Sequence, residues 1–142
     1  MMGRVLAIDP GEKRIGVAVS DLTGTVANPL RVIKHVSRTL DAAQIALEAD
    51  EQQARLIVVG QALDQQGLPS PSGRSAMRLA EAIRLQTNIP VEMWDESGST
   101  QEARAARLSM GANRRKRSGH LDELAATVIL QSYLDAQSYA KQ

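Results

Sequence analysis

The chain has 142 residues, 43% apolar and 23% charged, with a formal net charge of +1. That balance suits a folded protein with a real core and excludes a disordered polypeptide, and no stretch approaches the ~20 apolar residues that a bilayer demands. Cysteine is absent, which excludes disulfides, thiolate zinc sites and cysteine nucleophiles. One Trp, two Tyr and no Phe leave little for stacking on nucleic-acid bases.

The opening, MMGRVLAIDPG, has too short an apolar run before Asp9 for the core of a signal peptide, so a cytoplasmic protein is expected. Residues 4–9 (RVLAID) read as a buried strand, and residues 14–20 (RIGVAVS) as its neighbour across a Pro-Gly turn. A third strand is expected over Thr25–Ile33. From Thr39 to Gln53, Leu40, Ala43 and Leu47 recur at helical spacing and predict an amphipathic helix that buries them. LIVVG (56–60) is a continuous apolar run, as in strands covered on both faces.

QALDQQGLPSPSG breaks all periodicity and reads as a mobile loop. Ala76, Leu79, Ala80 and Ile83 then place one apolar stripe on a helix over 72–86, and VEMW (91–94) is a further strand. Ser99 with Glu102 forms a capping box, predicting a helix to Leu108. Met110–Gly119 reads as a basic loop carrying Arg114, Arg115, Lys116 and Arg117, the strongest local charge in the chain. LDELAATVILQSYLDAQ (121–137) is the clearest helix. No repeat, low-complexity tract or domain boundary interrupts the order, so residues 1–142 are expected to form one α/β domain. The first three strands can pair as an antiparallel meander, and the later ones must join by right-handed crossovers.

Three acidic positions stand out. Asp9 ends the first strand, where a charge is expensive. Asp95-Glu96 follows VEMW. Asp122 opens the last helix near the middle of the arc shared by Leu121, Ala125, Val128, Ile129, Tyr133 and Ala136, with Thr127 and Gln131 outside that arc. Each has a plain alternative: a turn residue for Asp9, a solvated turn for Asp95-Glu96, and a first-turn acid favoured by the helix dipole for Asp122.

Functional groups in open α/β sheets gather at the carboxyl ends of strands, where these acids would converge. Converging carboxylates repel unless cations neutralise them, and oxygen ligands without His or Cys point to Mg²⁺ or Mn²⁺. The residues therefore suggest metal-dependent phosphodiester chemistry, with Arg114–Arg117 on the phosphate backbone. Arg14, just past the turn, could reach a phosphate or make an ordinary surface ion pair. His120 reads as a helix-start residue, Trp94 as core and Asp21 as a structural acid.

Together, IDPG-x-x-R-IGVAVSD, the strand LIVVG, the tripeptide W-D-E, R-x-K-R-x-x-x-x-D-E-L-AA and ILQ-x-YL resemble the YqgF family, from Val5 to Leu134. That family is similar to Holliday-junction resolvases. The resemblance implies a ribonuclease H-like fold: a mixed five-stranded sheet, three antiparallel N-terminal strands plus two parallel ones, flanked by helices. It also implies a nuclease in which acids hold two Mg²⁺ ions. Carried over, these acids are Asp9, Glu96 rather than Asp95, and Asp122, each catalytic and metal-ligating.

The implied role is 5′-end maturation of pre-16S ribosomal RNA, with structured RNA and ribosomal precursor particles as partners. The alternative is resolution of branched DNA, and the protein would act as a monomer or homodimer, without a membrane. Two departures fall where substrate loops are expected. Ser97-Gly98-Ser99-Thr100 replaces the family's Arg-Leu-Thr-Thr, and Gly60-Gln61-Ala62 replaces Gly-Leu-Pro. Two readings from other classes stay open. A non-catalytic RNA-binding assembly factor would bind without cleaving, and an actin-like ATPase would need a second such domain.

Overall fold

A computed structural model of the chain describes residues 3–96 and 114–140, and over 114–123 and 139–140 it describes the backbone alone. The described residues form strands β1 (Arg4–Asp9), β2 (Arg14–Ser20), β3 (Ala27–Lys34), β4 (Ala54–Gln61) and β5 (Val91–Asp95). They also form helices α1 (Arg38–Glu51), α2 (Pro71–Arg84) and α3 (Arg114–Ala140). The sheet order is β3-β2-β1-β4-β5, with β1–β2 and β2–β3 antiparallel and β1–β4 and β4–β5 parallel. This is the ribonuclease H-like mixed sheet that the resemblance implies. β1, β4 and β5 run in one direction, so their carboxyl ends share one edge.

Period-two alternation divides the sheet's side chains between two layers. Leu6, Ile8, Val17, Val19, Ile57 and Val59 face α1 and α2, where Ala42, Ile45, Ala49, Leu79 and Ile83 meet them. Val5, Ala7, Ala18, Leu56 and Val58 face α3, against Ala126, Leu130, Tyr133 and Leu134. Covered on both sides, Val5–Ile8 and Leu56–Val59 are fully or nearly fully buried, which explains why both runs are continuously apolar. Each such large side chain contributes about 1.5–3 kcal/mol by leaving water.

α1 forms where the sequence places it, with Ser37 as N-cap accepting from Leu40 N–H at 3.2 Å. It packs the other way round. Leu40 and Leu47, expected inside, are 58% and 52% exposed, and the buried face is Asp41, Ala42, Ile45, Ala46, Glu48 and Ala49. The small alanines let the helix lie close to the sheet, and each buried acid has a partner. Asp41 pairs with His35, and Glu48 Oε1 lies 2.7 Å from Arg31 Nε. Two charges that repel burial when alone are tolerated once paired, so hydropathy alone selected the wrong stripe.

α2 follows expectation, with Ser70 capping Gly73 N–H, Pro71 in its first turn, and Ala76, Leu79, Ala80 and Ile83 buried. The preceding segment is tied down as a small hairpin. Leu63 bridges Pro69, Asp64 N–H donates to Leu68 carbonyl at 2.7 Å, and Asp64 Oδ1 accepts from Gln66 and Leu68 N–H.

α3 begins at Arg114, so the basic run Arg114–Arg117 and Gly119 are helical rather than loop. Arg and Lys are good helix formers, and one interior Gly costs only about 1 kcal/mol. Ala125 to Leu130 are all buried, Thr127 included, because the helix lies across β1, β2 and β3 and is covered over a wide arc. Gln131, outside the expected arc, still ties the helix to the sheet edge: its Oε1 accepts from Ala27 N–H and its Nε2 donates to Thr25 carbonyl. Trp94 meets the expectation of a packing residue, edge-on to Tyr133 at 5.2 Å with Nε1 donating to Ser132 Oγ. The helix expected from Ser99 to Leu108 lies outside the described residues.

Candidate active site

Alternation decides which acids share a face. On β1, Val5 and Ala7 belong to the α3 layer, and Asp9 continues their parity at the strand's end. On β5, Met93 packs toward α1 and α2 while Trp94 packs toward α3. Asp95 therefore continues the parity of Met93, and Glu96 that of Trp94. The residues alone could not separate Asp95 from Glu96 in the sequence, but the backbone does: Glu96 joins the side of Asp9.

Glu96 N–H donates to the Gln61 carbonyl at 2.9 Å, extending the β4–β5 ladder one residue beyond the strand. Its side chain leans over β4 at Gly60. A Cβ on Gly60 would lie 2.6 Å from Glu96 Oε2, 2.8 Å from Ile129 Cδ1 and 3.5 Å from Ile8 carbonyl oxygen. Gly60 is thus a gap in the sheet surface that admits the Glu96 carboxylate toward β1, beside the strand end that carries Asp9. The sequence shows Gly60 only as the last residue of the apolar run LIVVG. Nothing in a lone Gly after an apolar run signals that it makes room for a carboxylate.

The turn after Asp9 is equally constrained. A Cβ on Gly11 would stand 2.3 Å from the Arg14 carbonyl, so the tight β1–β2 turn requires glycine there. Arg14 opens β2 opposite Lys34 and lines a cleft of about 530 Å³ with Glu12, Lys13, Lys34 and His35, a predominantly basic concavity next to the turn.

Asp122 lies in the part of α3 described as backbone. It precedes Ile129 by seven residues, two helical turns, and so lies on the helix face that meets Gly60. Arg114, Arg115, Lys116 and Arg117 form the first turn of the same helix. Among the described residues, no group of three His, Cys, Asp or Glu side chains is placed to hold a metal ion. The structure brings Asp9 and Glu96 to one edge and one face, and Ser97–Thr100 lie outside the described residues.

Two other groups have structural explanations. Asp21 accepts from Thr23 Oγ1 at 2.6 Å and from the N–H groups of Thr25 and Val26. The Thr23 hydroxyl, then those amides, pull its pKa from 3.8 down to about 2, as befits a turn-forming acid. Tyr133 donates to Glu92 Oε2 at 3.2 Å, and burial, followed by the Glu92 charge, raises its pKa above the usual 10.0.

The protein-family model described as RuvX: Holliday junction resolvase matches residues 3–136. A protein of Clostridioides difficile named as a candidate pre-16S rRNA nuclease is 39% identical over 133 residues, 94% of each chain. One of the same name from Thermoanaerobacter pseudethanolicus is 38% identical over 135 residues, 94% of this chain and 97% of its own. Among solved structures, Thermus thermophilus RuvC in complex with Holliday junction substrate matches with a TM-score of 0.59 at 14% identity, over 96% of both chains. The fowlpox virus resolvase with Holliday junction DNA matches at 0.56 and 14%, over 96% of this chain and 99% of the other. At such identities the two solved structures speak for the shared fold.

Proposed function

Since the chain belongs to the RuvX, or YqgF, family, we propose that it is a metal-dependent nuclease hydrolysing phosphodiester bonds in 5′-end maturation of pre-16S ribosomal RNA. The observation that carries this reading is the Glu96 carboxylate leaning through the Gly60 gap toward β1, on the face of Asp9. A nuclease needs acids held together at an accessible edge, and a sheet whose parallel strands end there supplies it.

The donor set fits a hard divalent cation. Asp9 and Glu96 offer oxygen ligands, a Cβ at Gly60 would fill the space Glu96 occupies, and no thiol exists in the chain. Asp9, Glu96 and Asp122 would hold Mg²⁺ or Mn²⁺. Such ions, when bound, lower the pKa of water and stabilise the leaving oxygen. The chain's own part is to fix the carboxylates on rigid elements, Asp9 through β1 and Glu96 through the Gln61 hydrogen bond. Arg14 and the Arg114–Arg117 turn hold backbone phosphates and set the strand's path. A role in ribosome biogenesis would place the protein in the cytoplasm with precursor particles as partners.

Resolution of four-way DNA junctions is the second reading, favoured by the description of the matching family model. Incubation of the purified protein with pre-16S RNA and with four-way junctions, in Mg²⁺, Mn²⁺ or chelator, separates the two. The RNA reading expects metal-dependent cleavage of the precursor with intact junctions. Cleavage of junctions alone selects the second, and binding without cleavage of either leaves a non-catalytic factor.

A further inference from the structure

Behind the Pro10–Gly11 turn, on the α1 and α2 side of the sheet, lies a cleft of about 350 Å³ that the acids do not use. Gly11, His35, Arg38, Asp41 and Ser75 are among its walls. Asp41 is 3% exposed, and both of its oxygens are engaged: Oδ2 with His35 Nδ1, and Oδ1 accepting from Val36 N–H at 3.0 Å. His35 N–H in turn donates to Lys13 carbonyl at 2.9 Å, which fastens the imidazole's backbone to the β1–β2 turn.

The ring is therefore fixed at both ends of its attachment, with Nδ1 committed to a buried carboxylate and Nε2 left for another group. His35 also lines the neighbouring basic cleft with Lys13, Arg14 and Lys34, so one imidazole stands where two concavities meet. A carboxylate almost wholly withdrawn from water, used to orient a half-exposed histidine beside an arginine, is more than surface packing requires. The remaining polar groups of the cleft are hydroxyls and the Arg38 guanidinium, a set that suits an oxyanion.

We propose that His35 and Arg38, with Asp41 as the positioning residue for the imidazole, form a phosphate-binding subsite. It grips a phosphodiester of the nucleic-acid strand on the far side of the turn from Asp9. The subsite rests on the nuclease reading and extends it. Substrate would pass around the β1–β2 turn, held on one side by Arg14 and Lys34 and on the other by His35 and Arg38. A phosphate at Nε2 completes a carboxylate–imidazole–phosphate chain in which the ring lies between two anions.

The test uses the full chain in chelator, so that binding is read without cleavage. With two histidines in the sequence, the imidazole nitrogen spectrum is assigned by one substitution, His35→Gln. Titration with a short RNA hairpin is expected to move the His35 signals at concentrations where inorganic phosphate leaves them in place. His35→Gln and Arg38→Gln should each weaken hairpin binding about tenfold. Arg38→Gln should also reduce the salt slope by about 1 with unchanged melting, whereas His35→Gln lowers the melting temperature because the buried Asp41 loses its partner. Asp41→Asn should weaken binding by releasing the His35 ring, with the His35 signals shifted in the free protein.

Saturating hairpin binding that leaves His35 unmoved, with both glutamine variants binding like wild type, overturns the subsite and leaves the nuclease reading intact. A His35 response to inorganic phosphate that the hairpin does not displace overturns it in favour of a free-phosphate site. Absence of any RNA or junction binding by the wild type, in chelator and with Mg²⁺ alike, removes the nuclease reading itself.

Discussion

The two faces of one sheet are built for different work. The face under α1 and α2 is an apolar layer of Leu, Ile, Val and Ala, and its buried acids Asp41 and Glu48 each have a basic partner, His35 and Arg31. The face under α3 packs Val5, Leu56 and Val58 against Leu130, Tyr133 and Leu134, and at its edge a missing side chain at Gly60 admits a carboxylate. One layer pairs its buried acids with those two side chains. The other carries Asp9 and Glu96 to the carboxyl-end edge of the sheet. A single residue of strand register separates the two destinations, as Asp95 and Glu96 illustrate.

The largest expected effect lies on the face under α1 and α2. Ile45→Ala should lower stability by about 2–5 kcal/mol, read by denaturant unfolding, with cleavage per folded molecule unchanged. On the opposite side of the same helix, Leu40→Ser and Leu47→Ser should each change stability by less than about 0.5 kcal/mol. Equal losses at Leu40 and Ile45 would restore the apolar stripe expected from spacing alone.

Gly60→Ala comes next and probes the face under α3. Its Cβ would displace Glu96 Oε2 or Ile129 Cδ1 from within 3 Å, and a carboxylate moved by about 1 Å can lose on the order of 10²-fold in rate. Single-turnover cleavage should fall far more than the melting temperature does. Unaltered cleavage would show that Glu96 does not need the gap.

Asp21→Asn should give the smallest effect, visible only against pH. The folded pKa near 2 lies below the ordinary value of 3.8, so Asp21 stabilises the fold above about pH 4 and loses that contribution as pH falls toward 2. The variant should show a shallower acid limb in melting curves between those values and wild-type behaviour in cleavage. An unchanged acid limb would deny Asp21 its turn-holding role.

Much of this was legible in the sequence because strands buried on both faces cannot hide. Val5–Ile8 and Leu56–Val59 are continuous apolar runs, and their chain order already implies an antiparallel start and parallel additions. The α2 stripe was legible for the same reason. α1 was not, because its inner face carries Asp41 and Glu48, whose partners His35 and Arg31 lie outside the helix and are invisible to periodicity. Arg114–Gly119 read as a loop because charge density and glycine suggest one, whereas arginine and lysine propagate a helix readily.

At the candidate site, Asp9 was visible as a misplaced charge. The choice of Glu96 over Asp95 needed either the family resemblance or the β5 register. Gly60 and the His35–Asp41 pair carried no signal at all. A glycine's role as an opening, and an acid's role as a histidine's anchor, exist only once distant elements are brought together.

The division between the two faces is tested most directly by comparing Glu96→Gln with Asp95→Asn in metal-dependent cleavage of the same precursor RNA, alongside their melting curves. Neighbours in sequence, the two acids continue opposite parities of β5. Glu96→Gln should lose more than about 10²-fold in cleavage with its fold intact, while Asp95→Asn should cleave near the wild-type rate. Wild-type cleavage by Glu96→Gln, or a dead Asp95→Asn that melts normally, would contradict the assignment of catalysis to the α3 face.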